Sequence, residues 1–290
     1  MKESVVGFVA AAVVAVTTSV GSAFSPADLK GLELWLDASV SNAVVLADGK
    51  VSQWKDCSTN RFHAGQQVGE FRPTFVEGAF NGMPMVRFAA NHDDQYGGHY
   101  LRTDCIPASG GAYGGGARTI IIAVANVKPT SWHVNHVVHY GSPYSRQAYG
   151  ITCRGGHVST WGNHYWQGGF DTKVSSTNAG GVIVVASYSD GADHFTINGG
   201  TTVTNEILLD TAAGTYGKYG MIIGARIDPV YGKTTEGAAL DMGEVMAFST
   251  ALSVEDRQMI EGYLAHKWGM VDKLPAGHPY KSSKPETDIK

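Results

Sequence analysis

The sequence predicts an all-β fold: a two-sheet antiparallel β-sandwich of the jelly-roll kind with one C-terminal helix. Three observations predict it. Short apolar runs bounded by Gly, Pro, Asn or Asp recur along the chain. The 37 glycines fall between those runs with no fixed period, so they mark turns and not collagen or a flexible linker. Only one stretch, near 254–268, carries a helical period.

The expected strands are LELWLD (32–37), VSQWK (51–55), MVRFA (85–89), TIIIAVANV (119–127) and NHVVHY (135–140). YGITC (149–153), VIVVASY (182–188), HFTIN (194–198), MIIGAR (221–226) and GEVMAF (243–248) follow. Several are continuously apolar, which suits strands buried between two sheets. VIVVASY and HFTIN, joined by SDGAD, read as antiparallel neighbours, and so do MVRFAAN and HYL on either side of HDDQYGG. The closing helix is announced by Ser253 as N-cap with Asp256 three residues on, a capping-box variant. Met259, Ile260, Tyr263, Leu264 and Trp268 then recur at helical spacing, and Ile260, Leu264 and Trp268 form the stripe expected to face the sandwich.

The first 23 residues, MKESVVGFVAAAVVAVTTSVGSA, have the layout of a cleavable secretory signal, with Lys2, an apolar run over 5–16 and small residues before Phe24. That run is shorter than the ~20 residues of a membrane span. A retained N-terminal anchor is the competing reading, and prepilin-type processing after Gly7 is disfavoured by Ala12. The expectation is a protein exported to the outside or the cell surface, with residues 24–290 as one domain, since no Pro/Ser-rich linker or charge block divides them. With 17% charged residues and a net charge of −4, the chain lacks the basic face that a nucleic-acid or anionic-membrane partner requires. Cys57, Cys105 and Cys153 allow one intramolecular disulfide at most, in any of three pairings, and leave one thiol free.

The ending MGEVMAFSTA followed by LSVEDRQMIEGYLAHKWGM and VDKLPAGHP resembles the C-terminal signature of the concanavalin A-like lectin/glucanase superfamily, in its laminin G-like bacterial branch. GLELWLDAS (31–39), VSQWKDCSTNRFHA (51–64), RPTF (72–75) and NGMPMVRF (81–88) are similar to that family's opening segments, in the same order. Residues 105–220 fit in pattern alone. The resemblance implies the sandwich fold and a glycan-binding or adhesion role on a scaffold that also hosts enzymes.

Three constellations carry candidate chemistry. The first is catalytic. Laminarinase-type relatives place acids in a Glu-x-Asp-x-x-Glu pattern on one strand, and the nearest match here is Ala239-Leu240-Asp241-Met242-Gly243-Glu244. Alanine stands where the nucleophile belongs, which leaves Asp241 and Glu244 as a possible acid pair. Gly-x-Ser-x-Gly and His-Glu-x-x-His are absent, and the glycine-rich GGAYGGGAR (110–118) leads into a strand, unlike a phosphate loop.

The second is aromatic. Residues 132–166 hold five of the eleven histidines and three of the six tryptophans. Aromatic faces stack on sugar rings while His, Asn and Gln edges bond hydroxyls, so Trp132, Trp161, Asn163, His164, Tyr165 and Trp166 are the expected glycan-binding residues. Core packing is the competing role for these rings. His133, His136 and His139 are spaced by three, off the period of one strand face, which counts against a metal site.

The third is acidic. Asp56 and Asn60 in DCSTN, with Asp93 and Asp94 in NHDDQYGG, are oxygen-bearing candidates for calcium, for which turn-forming roles compete; Asp190 and Asp193 are similar. The reading is an exported, non-catalytic carbohydrate-binding or adhesion module whose partner is a glycan or surface polysaccharide. The alternatives are a self-associating subunit of a surface filament or coat, and a laminarinase-type glycoside hydrolase with a degenerate motif. No cofactor other than calcium is expected.

Overall fold

The computed structural model describes residues 1, 22–90, 98–104, 114–128, 135–142, 146–154, 157–161, 169–175, 180–211, 220–227 and 234–287. In chain order the first strands are β1 (Ser22–Ala23), β2 (Leu32–Asp37), β3 (Val44–Ala47), β4 (Lys50–Trp54), β5 (Ala64–Gly65), β6 (Thr74–Phe80) and β7 (Met83–Phe88). Next come β8 (Leu101–Thr103), β9 (Arg118–Ala125), β10 (Asn135–Gly141), β11 (Ala148–Arg154), β12 (His157–Trp161), β13 (Gly169–Ser175) and β14 (Val182–Ser189). The last are β15 (Ala192–Ile197), β16 (Val203–Glu206), β17 (Met221–Ile223), β18 (Arg226–Ile227), β19 (Thr234–Thr235), β20 (Leu240–Phe248) and β21 (Glu286–Thr287). The single α-helix among the described residues is α1 (Val254–Lys267).

Two antiparallel sheets pack face to face. The front sheet runs β13-β12-β11-β10-β17-β8-β5-β4-β3. The back sheet runs β16-β15-β14-β9-β20-β7-β6, with β2 also pairing β20. Aspartate or asparagine followed by glycine makes three of the hairpin turns: Asp48-Gly49 between β3 and β4, Asn81-Gly82 between β6 and β7, and Asp190-Gly191 between β14 and β15. All six residues have positive φ, the conformation that matches a two-residue turn to the strand twist.

The sandwich interior is filled from both sheets by Leu34, Leu36, Trp54, Ile120, Ile122, Val138, Ile151, Val184, Val245 and their neighbours, all buried. Alternation sends the other residues of the back sheet outward, where Met85, Ile121, Ile183, Met246 and Phe248 meet Ile260, Leu264 and Trp268 of α1. The expected helical stripe therefore does face the sheet. The central strands of the back sheet are buried on both faces, and all nine residues of β20 are buried. The N-cap is as expected: Ser253 Oγ accepts the Asp256 N–H at 3.1 Å. Gly243 lets Trp268 lie against β20, since a Cβ there would sit 2.7 Å from the indole ring.

The structure corrects several strand expectations. MVRFAA and HYL are not hairpin partners: β7 belongs to the back sheet and β8 to the front. Among the described residues, His99 N–H donates to Ala89 O at 2.9 Å where the two layers meet. MIIGAR is two elements, because Gly224 at φ 92 ends β17 and starts the β18–β19 ribbon. Strands β3, β6, β12, β13 and β16 extend beyond the expected set.

Candidate functional site

The aromatic-rich segment folds into consecutive strands at one end of the front sheet, β10, β11, β12 and β13. Register makes one cross-strand row of His139, Gly150, Trp161 and Gly169, and a second of His136, Thr152, Ser159 and Asp171. Between His136 and Val138 the β10–β11 register slips by a β-bulge. That extra residue overturns the sequence argument about spacing. It brings His136 and His139 together, with rings edge to face at a centroid distance of 5.2 Å, while Val138 and Tyr140 remain in the sandwich core.

Both histidines are fully buried. Glu236 lies across His136, with Nε2 3.3 Å from Glu236 Oε2, and Arg226 Nε donates to the same oxygen at 2.6 Å. The Glu236 segment is held to β10 by His136 N–H donating to Glu236 O at 2.8 Å and Asn135 Nδ2 donating to Gly237 O at 2.6 Å. Burial alone would push the Glu236 carboxyl up, but hydrogen bonds from His136 and Arg226 overrule it and hold the group down at about 2. Burial, then the neighbouring His136 and Arg226, keeps the His139 imidazole well below its usual range, so it is neutral. No group of three or more His, Cys, Asp or Glu among the described residues is placed to hold a metal ion.

Of the expected ligand residues, Trp161 ends β12 in the His139 row. Trp132, Asn163, His164, Tyr165 and Trp166 lie outside the described residues, as does His133. On the inner face of the same sheet end lies a cluster that sequence reasoning missed. Arg118 is completely buried, and its guanidinium donates to Tyr140 Oη, Thr211 Oγ1, Gly114 O and Gly116 O. It sits 5.3–6.0 Å from the ring centres of Tyr140, Tyr149 and Tyr188. Tyr149 Oη donates to Asp193 Oδ1 at 2.9 Å. This arrangement fastens the two sheets at the end that carries β10 to β13. Its only sequence signal is an arginine opening an apolar run.

The two acids of the laminarinase-like match do not share a groove. Asp241 is buried, grips Arg87 in a two-bond fork at 2.6 and 2.8 Å and accepts from Asn126 Nδ2 at 2.7 Å. Glu244 is also buried, beneath α1, beyond a register slip between Met242 and Glu244. It accepts from Trp35 Nε1 and Trp268 Nε1, each at 2.8 Å, and pairs with Lys267 Nζ at 2.7 Å. Lys267 also bonds Asp37 Oδ2. Burial, then the charge of Asp37, pushes the Glu244 carboxyl up to about 7. Segments that carry the family resemblance thus meet in one knot between helix and sheet.

Asp56 is a loop organiser. Its oxygens accept from the N–H groups of Trp35, Ser58 and Phe62 and from Ser58 Oγ. Asn60 turns its amide nitrogen to Leu32 O and Glu33 O. Four donors already occupy the Asp56 carboxylate, which is the turn-forming role that competes with calcium binding in the sequence. Asp93 and Asp94 lie outside the described residues, while Asp190 forms its hairpin turn. Cys57 and Cys153 are free thiols, which removes the pairing between them; Cys105 is not described.

No family model and no curated protein matches the chain. Solved structures do. The binding domain of Paraclostridial Mosquitocidal Protein 1 superposes with a TM-score of 0.54 at 11% identity, over 82% of this chain and 53% of that one. The chain therefore spans about half the length of that structure. Domain 4 of AbnA, a GH43 extracellular arabinanase from Geobacillus stearothermophilus solved with arabinotriose, gives 0.50 at 13% identity, over 78% of this chain and 96% of that one. At such identities the likeness shows the fold: this chain is an antiparallel β-sandwich of the class found in those domains.

Proposed function

We propose that the protein is an exported, non-catalytic carbohydrate-binding module of the concanavalin A-like, laminin G-like type, and that its glycan face is the β10–β13 end of the front sheet. The observation that carries this reading is the row in which a neutral His139 shares register with Trp161 at the sheet end built from the aromatic-rich segment. A neutral imidazole both donates and accepts, which suits uncharged hydroxyls. An aromatic ring supplies the apolar platform that a sugar face requires. Gly150, between them in the row, adds no side chain. The separate engagement of Asp241 and Glu244 by protein partners supports binding without hydrolysis.

A glycan array and a reducing-sugar assay on the same purified protein test the reading. Selective glycan binding without release of reducing ends is expected, and Trp161→Ala and Trp166→Ala should weaken it while leaving the thermal transition in place. Unchanged binding in both variants would remove the site. Release of reducing ends would make the protein a hydrolase.

A further inference from the structure

The knot beneath α1 has an organisation that a static ion pair does not require. One amine, Lys267 Nζ, touches two buried carboxyl groups, bonding Asp37 Oδ2 and lying 2.7 Å from Glu244 Oε1. The Asp37 and Glu244 side chains are 2% and 1% exposed. The aromatic walls are Tyr263 and Trp268, whose ring centres lie 5.3 and 5.5 Å from Nζ, and Trp35, bonded to Glu244. The two oxygens of Asp37 are used differently. Oδ1 accepts from both Ser39 N–H at 2.9 Å and Ser39 Oγ at 2.7 Å, whereas Oδ2 faces the amine.

We propose that Lys267 and Asp37 become joined by an intramolecular amide bond, formed with loss of one water and promoted by Glu244. The step begins with transfer of one proton from the Lys267 ammonium to Asp37 Oδ2, giving a neutral amine against a carboxylic acid. The Nζ lone pair attacks Asp37 Cγ, and the negative charge that develops on Oδ1 is held by the two Ser39 donors. Glu244 accepts the proton lost by Nζ and delivers it to Oδ2. The Cγ–Oδ2 bond breaks, Oδ2 leaves as water, and the amide remains. An amine and a carboxylic acid are consumed, an amide and a water are made, and no oxidant or cofactor is needed. Burial and the Asp37 charge, by raising the Glu244 carboxyl, suit it to that shuttle at neutral pH. Holding the reacting groups in contact between helix and sheet supplies the effective concentration that amide formation in water lacks.

The link would join residues 230 positions apart, tying the first strand of the back sheet to the last helix. It is independent of the glycan-binding proposal. The test is the intact mass of the purified full-length protein, corrected for its observed N-terminus, with a peptide map. A mass short of the sequence value by one water, with a branched peptide joining Asp37 to Lys267, is the expected result. Lys267→Arg should restore the full mass. Asp37→Asn should lose ammonia instead of water and converge on the mass of the cross-linked parent. A parent protein at full sequence mass with the two peptides separate would overturn the proposal. So would a water deficit that persists in Lys267→Arg.

Discussion

Trp268 donates its indole N–H to Glu244 Oε1 at 2.8 Å, so the residue that packs α1 onto the back sheet also neutralises part of the cost of a carboxyl buried beneath it. Packing and polar satisfaction are coupled there. Trp268→Ala opens a cavity and removes a donor, with an expected loss of about 3–5 kcal/mol. Trp268→Phe keeps most of the volume and should lose about 1–3 kcal/mol, the cost of the missing donor. Urea unfolding of the two variants separates the contributions, and equal losses would show that the hydrogen bond contributes nothing.

Gly82 and Gly243 are both required, for different reasons. Gly82 sits at φ 77 with open space around it, so Gly82→Ala should cost about 1–2 kcal/mol of backbone strain and leave the core untouched. Gly243→Ala drives a methyl into the Trp268 ring and should cost about 1–3 kcal/mol while displacing that indole. The Trp268 indole N–H resonance should move in the second variant alone.

His139→Phe should raise stability and abolish glycan binding. An apolar ring of similar size removes the desolvation cost of a buried imidazole, a gain of about 1–3 kcal/mol. The same change deletes the only group in that row able both to donate and to accept. A rise in melting temperature with binding intact would detach His139 from the ligand.

Glu236 predicts an acid-sensitive step. Its folded value of about 2 lies below its ordinary 4.5, so its contribution is complete above about pH 4.5 and is lost as pH falls toward 2. The difference corresponds to about 3 kcal/mol. Glu236→Gln should therefore be less stable at neutral pH and show a flatter stability profile between pH 4.5 and 2. Parallel profiles for parent and variant would contradict the assigned pairing.

Much of the scaffold was legible because it rests on local signals. The apolar runs that became β9, β14 and β20 are continuous since both faces of the back sheet are covered, and Ser253 with the Ile260, Leu264, Trp268 stripe defines α1 from its own spacing. The strands that precede Asp48-Gly49 and Asn81-Gly82 were less legible: TFVEGAF, half exposed, has no clean alternation. Long-range features were not legible at all. The bulge at Val137 changes the facing that periodicity assigns to His136 and His139, because one inserted residue swaps the face on which every later side chain falls. Asp37, Glu244 and Lys267 became a group only once three distant segments met.

The position of β20 governs when the protein can be completed. Its partners β2, β7 and β9 are made early, yet none of them can occupy its final place in the back sheet until the chain has been synthesised through Phe248. Until then the edges that β2, β7 and β9 share with β20 wait unpaired, while pairings that do not involve it, such as β6–β7, β14–β15 and β9–β14, can already form. Closure of the back sheet is therefore late in the order of synthesis. A nascent chain of this design exposes strand edges for most of its synthesis, which makes shielding during production a requirement for yield.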